Sequence, residues 1–159
     1  MFVTIKGGSK RQKELAESMV VFCQKKLMPK MYNLEINMHI KEFGKDENCG
    51  YAWPADDAHV SRPREFNIEV NRNQKLRQML ETIAHEMVHV KQFARGELYE
   101  STNKKAHRWQ GIWMSNRSKT VKDYWDNPWE IEAFGRQLGL FIRWAEENDL
   151  SKYKWTQLD

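Results

Sequence analysis

Cysteine is scarce in this 159-residue chain: Cys23 and Cys49 are the only two. That excludes a disulfide framework or a CxxC metal knuckle, and two free thiols in a reducing cytoplasm are expected. Long hydrophobic runs are also missing, the longest being a few residues where a membrane span needs ~18. The opening MFVTIKGGSK lacks the apolar core of a signal peptide. A cytoplasmic protein is therefore expected. No internal repeat, low-complexity tract or interdomain linker is visible. Nor does charge of one sign dominate: 26 Lys+Arg against 22 Asp+Glu give +4, too mild to announce a nucleic-acid binder. What remains, 40% hydrophobic and 30% charged, is ordinary globular composition, and the length suits one domain over 1–159. Two features stand out: five histidines, and seven tryptophans of which six lie beyond position 108.

Periodicity divides the chain into elements. Ser9 with Gln12 reads as a capping box, and Leu15, Met19, Phe22, Cys23 and Leu27 then recur at helical spacing until Pro29. Leu34, Ile36, Met38 and Ile40 alternate with polar residues, as Phe66, Ile68 and Val70 do, so both segments are expected as strands. Gly50–Trp53, ended by Pro54, reads as a short edge strand. A second helix is expected from about Gln74 to Arg95, ended by Gly96. Residues 97–126 read as a long irregular loop with a short helix in it. A last helix starts at Asn127-Pro128 and runs to about Asn148. The order implies an α+β domain with a small mixed or antiparallel sheet under the central helix.

That central helix contains His85-Glu86-Met87-Val88-His89, an HExxH. Positions i and i+4 share a helix face, so both imidazoles can reach one metal ion. Glu86 is rotated by ~100° from His85, beside the ion rather than on it, where a carboxylate can take a proton from water. Shuffling this composition produces the motif about 1% of the time, so its context matters. On a helical wheel His89, Gln92 and Gln78 lie within ~40° of His85, whereas Leu76, Ile83, Met87, Val90 and Ala94 cluster opposite. A metal site is favoured over two accidental surface histidines.

Zinc at such a site needs a third protein ligand and an open position. His107, Glu97, Glu100, Glu130 and Glu132 are the candidates. In the last helix, Ile131, Phe134, Leu138, Phe141, Ile142 and Ala145 form the expected buried stripe. Glu130 lies ~70° from its centre and Glu132 ~130°, which favours Glu130 and keeps Glu132 in reserve. The competing reading makes Glu130 only the third residue of an Asn127-x-x-Glu130 capping box.

HEMVH followed by a helical Glu-x-x-Ala resembles the gluzincin zinc metallopeptidases, particularly their compact single-domain forms. The stretch YWDNPWEIEAFG is similar to small phage and bacterial proteins of that HExxH type. The resemblance spans roughly residues 10–148, but its specific content is two short motifs. It implies a minimal zincin core and peptide-bond hydrolysis, with Zn2+ held by His85, His89 and Glu130 and with Glu86 as general base. The register of glutamate three residues before a small residue maps onto Glu130 and Ala133. Where many relatives carry Asp or Asn after the Ala to orient a histidine ligand, this chain has Phe134. Asn127, Asp126 or a backbone carbonyl would then take that role.

Tyr124 and His107 are the candidate donors to a tetrahedral oxyanion, because their loop must pass the cleft. A protein or peptide substrate is the implied partner, and the Gly50–Trp53 edge is the expected place for its strand. Lys104–Trp109 mixes bases with aromatics and suits either contact with nucleic acid or, favoured, an ordinary solvated loop. SprT-like proteases associate with DNA, but their third ligand is a histidine, a part that only His107 could play here. A catalytically silent zinc-binding interaction factor is a further alternative, and the intact Glu86 argues against it. His39 and His59 read as incidental, and Trp109, Trp113, Trp125 and Trp129 are expected to wall the cleft.

Overall fold

The computed structural model describes residues 1–44, 49–55, 60–101, 103–115 and 120–157; His59 lies outside them. The fold is α+β, as expected. In chain order it comprises β1 (Phe2–Gly7), α1 (Lys10–Leu27), β2 (Glu35–Lys41), β3 (Gly50–Pro54), β4 (Glu65–Asn71) and α2 (Leu76–Ala94). There follow β5 (Leu98–Ser101), β6 (Ala106–Trp109), β7 (Ile112–Ser115), α3 (Val121–Trp125) and α4 (Pro128–Glu147), with a terminal 3-10 turn at Lys154–Thr156. No helix among the described residues is long and apolar enough to cross a membrane.

The main sheet is mixed, in the order β1-β2-β4-β3. β1, β2 and β4 run parallel, and β3 closes one edge antiparallel to β4, with Gly50 opposite Val70 and Trp53 opposite Asn67. Alternation decides which face is covered. Ile36, Met38, Ile40, Phe66, Ile68 and Val70 are buried beneath the helices, while His39 and Lys41 belong to the opposite, polar face. α1 starts at the Ser9–Gln12 capping box and buries Ala16, Met19, Val20 and Cys23 on the sheet. α2 lies between α1, α4 and the sheet, so nearly every residue from Ile83 to Ala94 is buried.

Two parts of the fold differ from expectation. β1 lies outside the segments that periodicity picks out. Its inward face carries only Val3 and Ile5, and the neighbouring apolar Phe2 is 78% exposed, which blurs the alternation. The expected long loop after α2 is largely an antiparallel meander, β5-β6-β7. β6 and β7 are joined by a two-residue turn, Gln110-Gly111, with φ of 47° and 87°. Both residues in the left-handed region make the tight hairpin turn that suits strand twist, but Gln in place of Asn or Asp hides its signature.

The buried face of α4 is also rotated from the expected stripe. Ile131, Leu138 and Ile142 are 59%, 40% and 42% exposed, whereas Trp129, Glu130, Ala133, Phe141 and Trp144 are buried. Two indoles supply more apolar area than the aliphatic residues, and Ala133 gives room for close approach to α2. Trp144, fully buried, also donates from Nε1 to Ser18 Oγ at 3.0 Å. Trp144→Ala is expected to lower unfolding free energy by about 3–5 kcal/mol in urea titrations. Ile142→Ala should cost less than about 1 kcal/mol.

Candidate metal centre

α2 and α4 make the most extensive helix–helix contact, and the site is built where they cross. His85 and His89 project from α2 one turn apart, and Glu130 projects toward them from the first turn of α4. The three residues are 7%, 8% and 6% exposed. His85 Nε2 lies 3.1 Å from His89 Nε2 and 3.4 Å from Glu130 Oε2, and His89 Nε2 lies 3.6 Å from Glu130 Oε1. A tetrahedral zinc ion with N and O ligands at ~2.0–2.1 Å requires ligand atoms ~3.4 Å apart. These closest approaches, the last two to different oxygens of one carboxylate, are near that spacing, one ligand atom from each residue lies within 4.8 Å of the others, and a neutral-imidazole pair with one carboxylate is a donor set that suits zinc. These residues fit the ion.

Glu130 thus faces the two imidazoles, although Ile131, Leu138 and Ile142 of the stripe used to choose it are exposed and only Phe141 and Ala145 of it are buried. The capping-box alternative fails: Asn127 is the N-cap, with no side-chain cap hydrogen bond. Its backbone N–H donates to Tyr124 O, while the Glu130 carboxylate turns to the imidazoles and accepts from Tyr124 Oη at 2.8 Å. Burial alone would raise the Glu130 pKa, but the adjacent His85 and His89 imidazoles and the Tyr124 hydroxyl hold it down to about 2. Burial would lower the His89 pKa, and the carboxylates of Glu130 and Glu86 outweigh it, so the net shift is upward.

The other ligand candidates have different partners. Glu132 pairs with Lys91 at 2.7 Å and Arg136 at 2.9 Å. Glu97 pairs with Lys91 and Arg95. His107 lies 3.8 Å from Glu100 and packs its ring on Trp129, centroids 4.7 Å apart. None of them joins the triangle.

Glu86 is 4% exposed and faces β3 rather than the triangle's interior. A Cβ added to Gly50 would sit 3.0 Å from Glu86 Oε1 and 2.6 Å from Thr82 Cγ2, so glycine lets the edge strand close on this carboxylate. Burial raises the Glu86 pKa, the imidazoles of His89 and His85 oppose that shift, and the Glu130 charge adds to it. A cavity of about 510 Å³ opens beside the triangle, lined by Gly50, His85, Glu86, Tyr124, Trp125 and Phe134 among others. Tyr124 is thus in the cavity wall, and its hydroxyl pKa is raised by burial and by the Glu130 charge.

Of the four tryptophans expected at the cleft, Trp125 lines it, its ring tilted by 34° against Phe134 with centroids 4.4 Å apart. Trp129 is buried beneath His107 and Trp109, and Trp113 stands on the meander's outer face with Tyr99 and Arg108. The residues orienting the histidines are also not those expected. Neither Asp126 nor Asn127 fills the role. Gln137 Oε1 lies 2.9 Å from His85 Nδ1, and Gln92 Oε1 lies 2.8 Å from His89 Nδ1. Gln92 is legible in hindsight from its place on the histidine face of α2, whereas Gln137 is found only once α4 is rotated so that Glu130 faces inward.

Metal analysis should find one zinc per chain. His85→Ala, His89→Ala and Glu130→Ala should each weaken binding by more than the roughly 100-fold that loss of an orienting residue can cost. Glu132→Ala should keep one zinc per chain. Compared with known proteins, this chain matches no protein-family model, no curated protein and no solved structure.

Proposed function

We propose that the chain is a zinc-dependent metallopeptidase of gluzincin type, acting on protein or peptide substrates. One observation carries the reading: a zinc-sized ligand triangle opens onto a cavity that also holds a buried carboxylate, Glu86, not spent as a ligand. A purely structural zinc site closes its fourth position with protein and has no use for such a base. At the level of the α+β class the fold supports the reading: the HEMVH helix packs on a mixed sheet, with an antiparallel edge strand beside Glu86. The two free thiols, Cys23 buried and Cys49 exposed, agree with a cytoplasmic setting.

His85, His89 and Glu130 would hold the ion, whose chemistry is Lewis acidity toward a water and toward the scissile carbonyl. Glu86 takes a proton from the attacking water as the new C–O bond forms, then returns it to the amine as the C–N bond breaks. Tyr124 leaves Glu130 and donates to the carbonyl oxygen as its charge grows. Among the described residues β3 is an edge strand with no strand on its outer side, where an extended substrate segment can add its backbone hydrogen bonds. Trp125 and Phe134 give the cavity an apolar wall for a substrate side chain.

Proteome-wide cleavage profiling should find cut sites with the wild-type chain and none with Glu86→Gln, which keeps its zinc. The loss in kcat/KM should be at least ~100-fold. Equal cleavage by both would refute the mechanism. No cleavage by either, with zinc bound, would favour the catalytically silent interaction factor.

Nucleic-acid association is a second reading that a specific observation favours. Residues 101–122 hold six Lys/Arg (Lys104, Lys105, Arg108, Arg117, Lys119 and Lys122) and no Asp/Glu, more positive charge than the net +4 of the whole chain. Tyr99, Arg108 and Trp113 form one cross-strand row on the meander's outer face, with Lys104 4.3 Å over the Trp113 ring. Cations interleaved with aromatic faces suit single strands, where bases stack and phosphates pair. Single-stranded DNA binding should weaken with salt, and Arg108→Ala should reduce the log–log slope by about 0.7. Absence of binding at roughly 50 mM salt would discard this reading.

A further inference from the structure

A neutral imidazole carries one N–H, so a histidine can offer Nε2 to an ion only when its proton sits on Nδ1. At His89 the neighbouring side chains decide that placement. Gln92 is fully buried, with its Oε1 2.8 Å from His89 Nδ1. Its amide nitrogen donates to Trp129 O at 2.9 Å and to Glu132 Oε2 at 3.1 Å. A carbonyl and a carboxylate only accept. Rotating the amide by half a turn would set its oxygen against both, so one orientation is allowed. In that orientation Oε1 faces Nδ1 and cannot donate, and Nδ1 must carry the proton.

We infer that Gln92 is a positioning residue that locks His89 in the Nδ1–H tautomer, leaving the Nε2 lone pair directed into the triangle before an ion arrives. The lock is anchored well beyond Gln92. Glu132 is held by Lys91 and Arg136, and Lys91 is itself buried and also paired to Glu97 at 2.6 Å. The second glutamate of α4 is thus the anchor of a ligand rather than a ligand. Glu130 opposes the lock, since its carboxylate would attract a proton onto Nε2. It does so across 3.6 Å, and His85 Nε2, the other acceptor facing that nitrogen, lies 3.1 Å away, whereas the Gln92 contact is 2.8 Å, and the shortest hydrogen bond prevails. His85 has no such lock. Its partner Gln137 is a part-exposed residue of the cavity wall whose amide nitrogen has no partner among the described residues, so that amide can turn.

The inference rests on His85, His89 and Glu130 being a zinc centre, yet the tautomer is a property of the metal-free chain. It can be read from long-range 1H–15N spectra of the imidazole-labelled, metal-free protein at a pH where His89 is neutral. The wild type should show a protonated Nδ1 and a bare Nε2 at His89. Gln92→Met should move the proton largely to Nε2 and weaken zinc binding about 10–100-fold in chelator competition, with the fold retained by circular dichroism. Gln137→Met should leave the His89 tautomer as it is. A wild-type His89 protonated on Nε2 would overturn the lock, and needs no variant to fold. So would a folded Gln92→Met with an unchanged tautomer and zinc affinity within about two-fold of wild type. A chain that shows the Nδ1–H tautomer but takes up no zinc would overturn the proposed peptidase and leave the lock standing.

Discussion

The crossing of α2 and α4 is the constraint on which the rest depends. It buries His85, Glu86, His89, Lys91, Gln92 and Glu130 in one layer. Burying so many polar groups is costly unless they find partners, and His85, His89, Lys91, Gln92 and Glu130 each lie close to one. Glu130 meets the two imidazoles, Gln92 joins His89 to α4, and Lys91 separates Glu97 from Glu132. Removal of one member strands another, so the interface tolerates little change even before an ion is considered. Small residues make the approach possible: Ala84 and Ala133 are both fully buried at this layer.

Around that crossing, the fold holds α2 from three sides. The sheet and α1 cover its apolar residues, and α4 covers its polar face. The resulting rigidity matters for a site whose ligand atoms must stand within a few tenths of an ångström of a tetrahedron's edges. β3 contributes the remaining wall. Its antiparallel course places Gly50 at Glu86, at the point where a side chain would push strand and helix apart. The edge of the sheet, the carboxylate and the cavity are thus neighbours by construction.

Much of this was legible in the sequence wherever one period dominated. The capping box at Ser9, the alternation in β2 and β4, and the HExxH on a helix ending at Gly96 all read as they fold. Elements without a dominant period did not. In β1 the exposed Phe2 blurs a two-residue inward face, and the meander is polar and aromatic, with a Gln110-Gly111 turn in place of a familiar pair. The apolar count on α4 favoured Ile131, Leu138 and Ile142, but the area of Trp129 and Trp144 decides which face is buried. Glu130 survived that error because it lies between the expected face and the real one. The orienting glutamines have no sequence signature of their own, since an amide's role is set by what faces each of its two ends.

The central claim is a zinc ion bound by three residues from two helices, with its remaining position open to the cavity beside Glu86. Anomalous diffraction at the zinc edge from crystals of the zinc-loaded protein tests it most directly. The expected map places one ion within ~2.0–2.2 Å of His85 Nε2, His89 Nε2 and a Glu130 oxygen, with a solvent molecule completing the coordination on the cavity side. An ion bound instead through Glu132 or His107, or enclosed by four protein ligands, would contradict the claim.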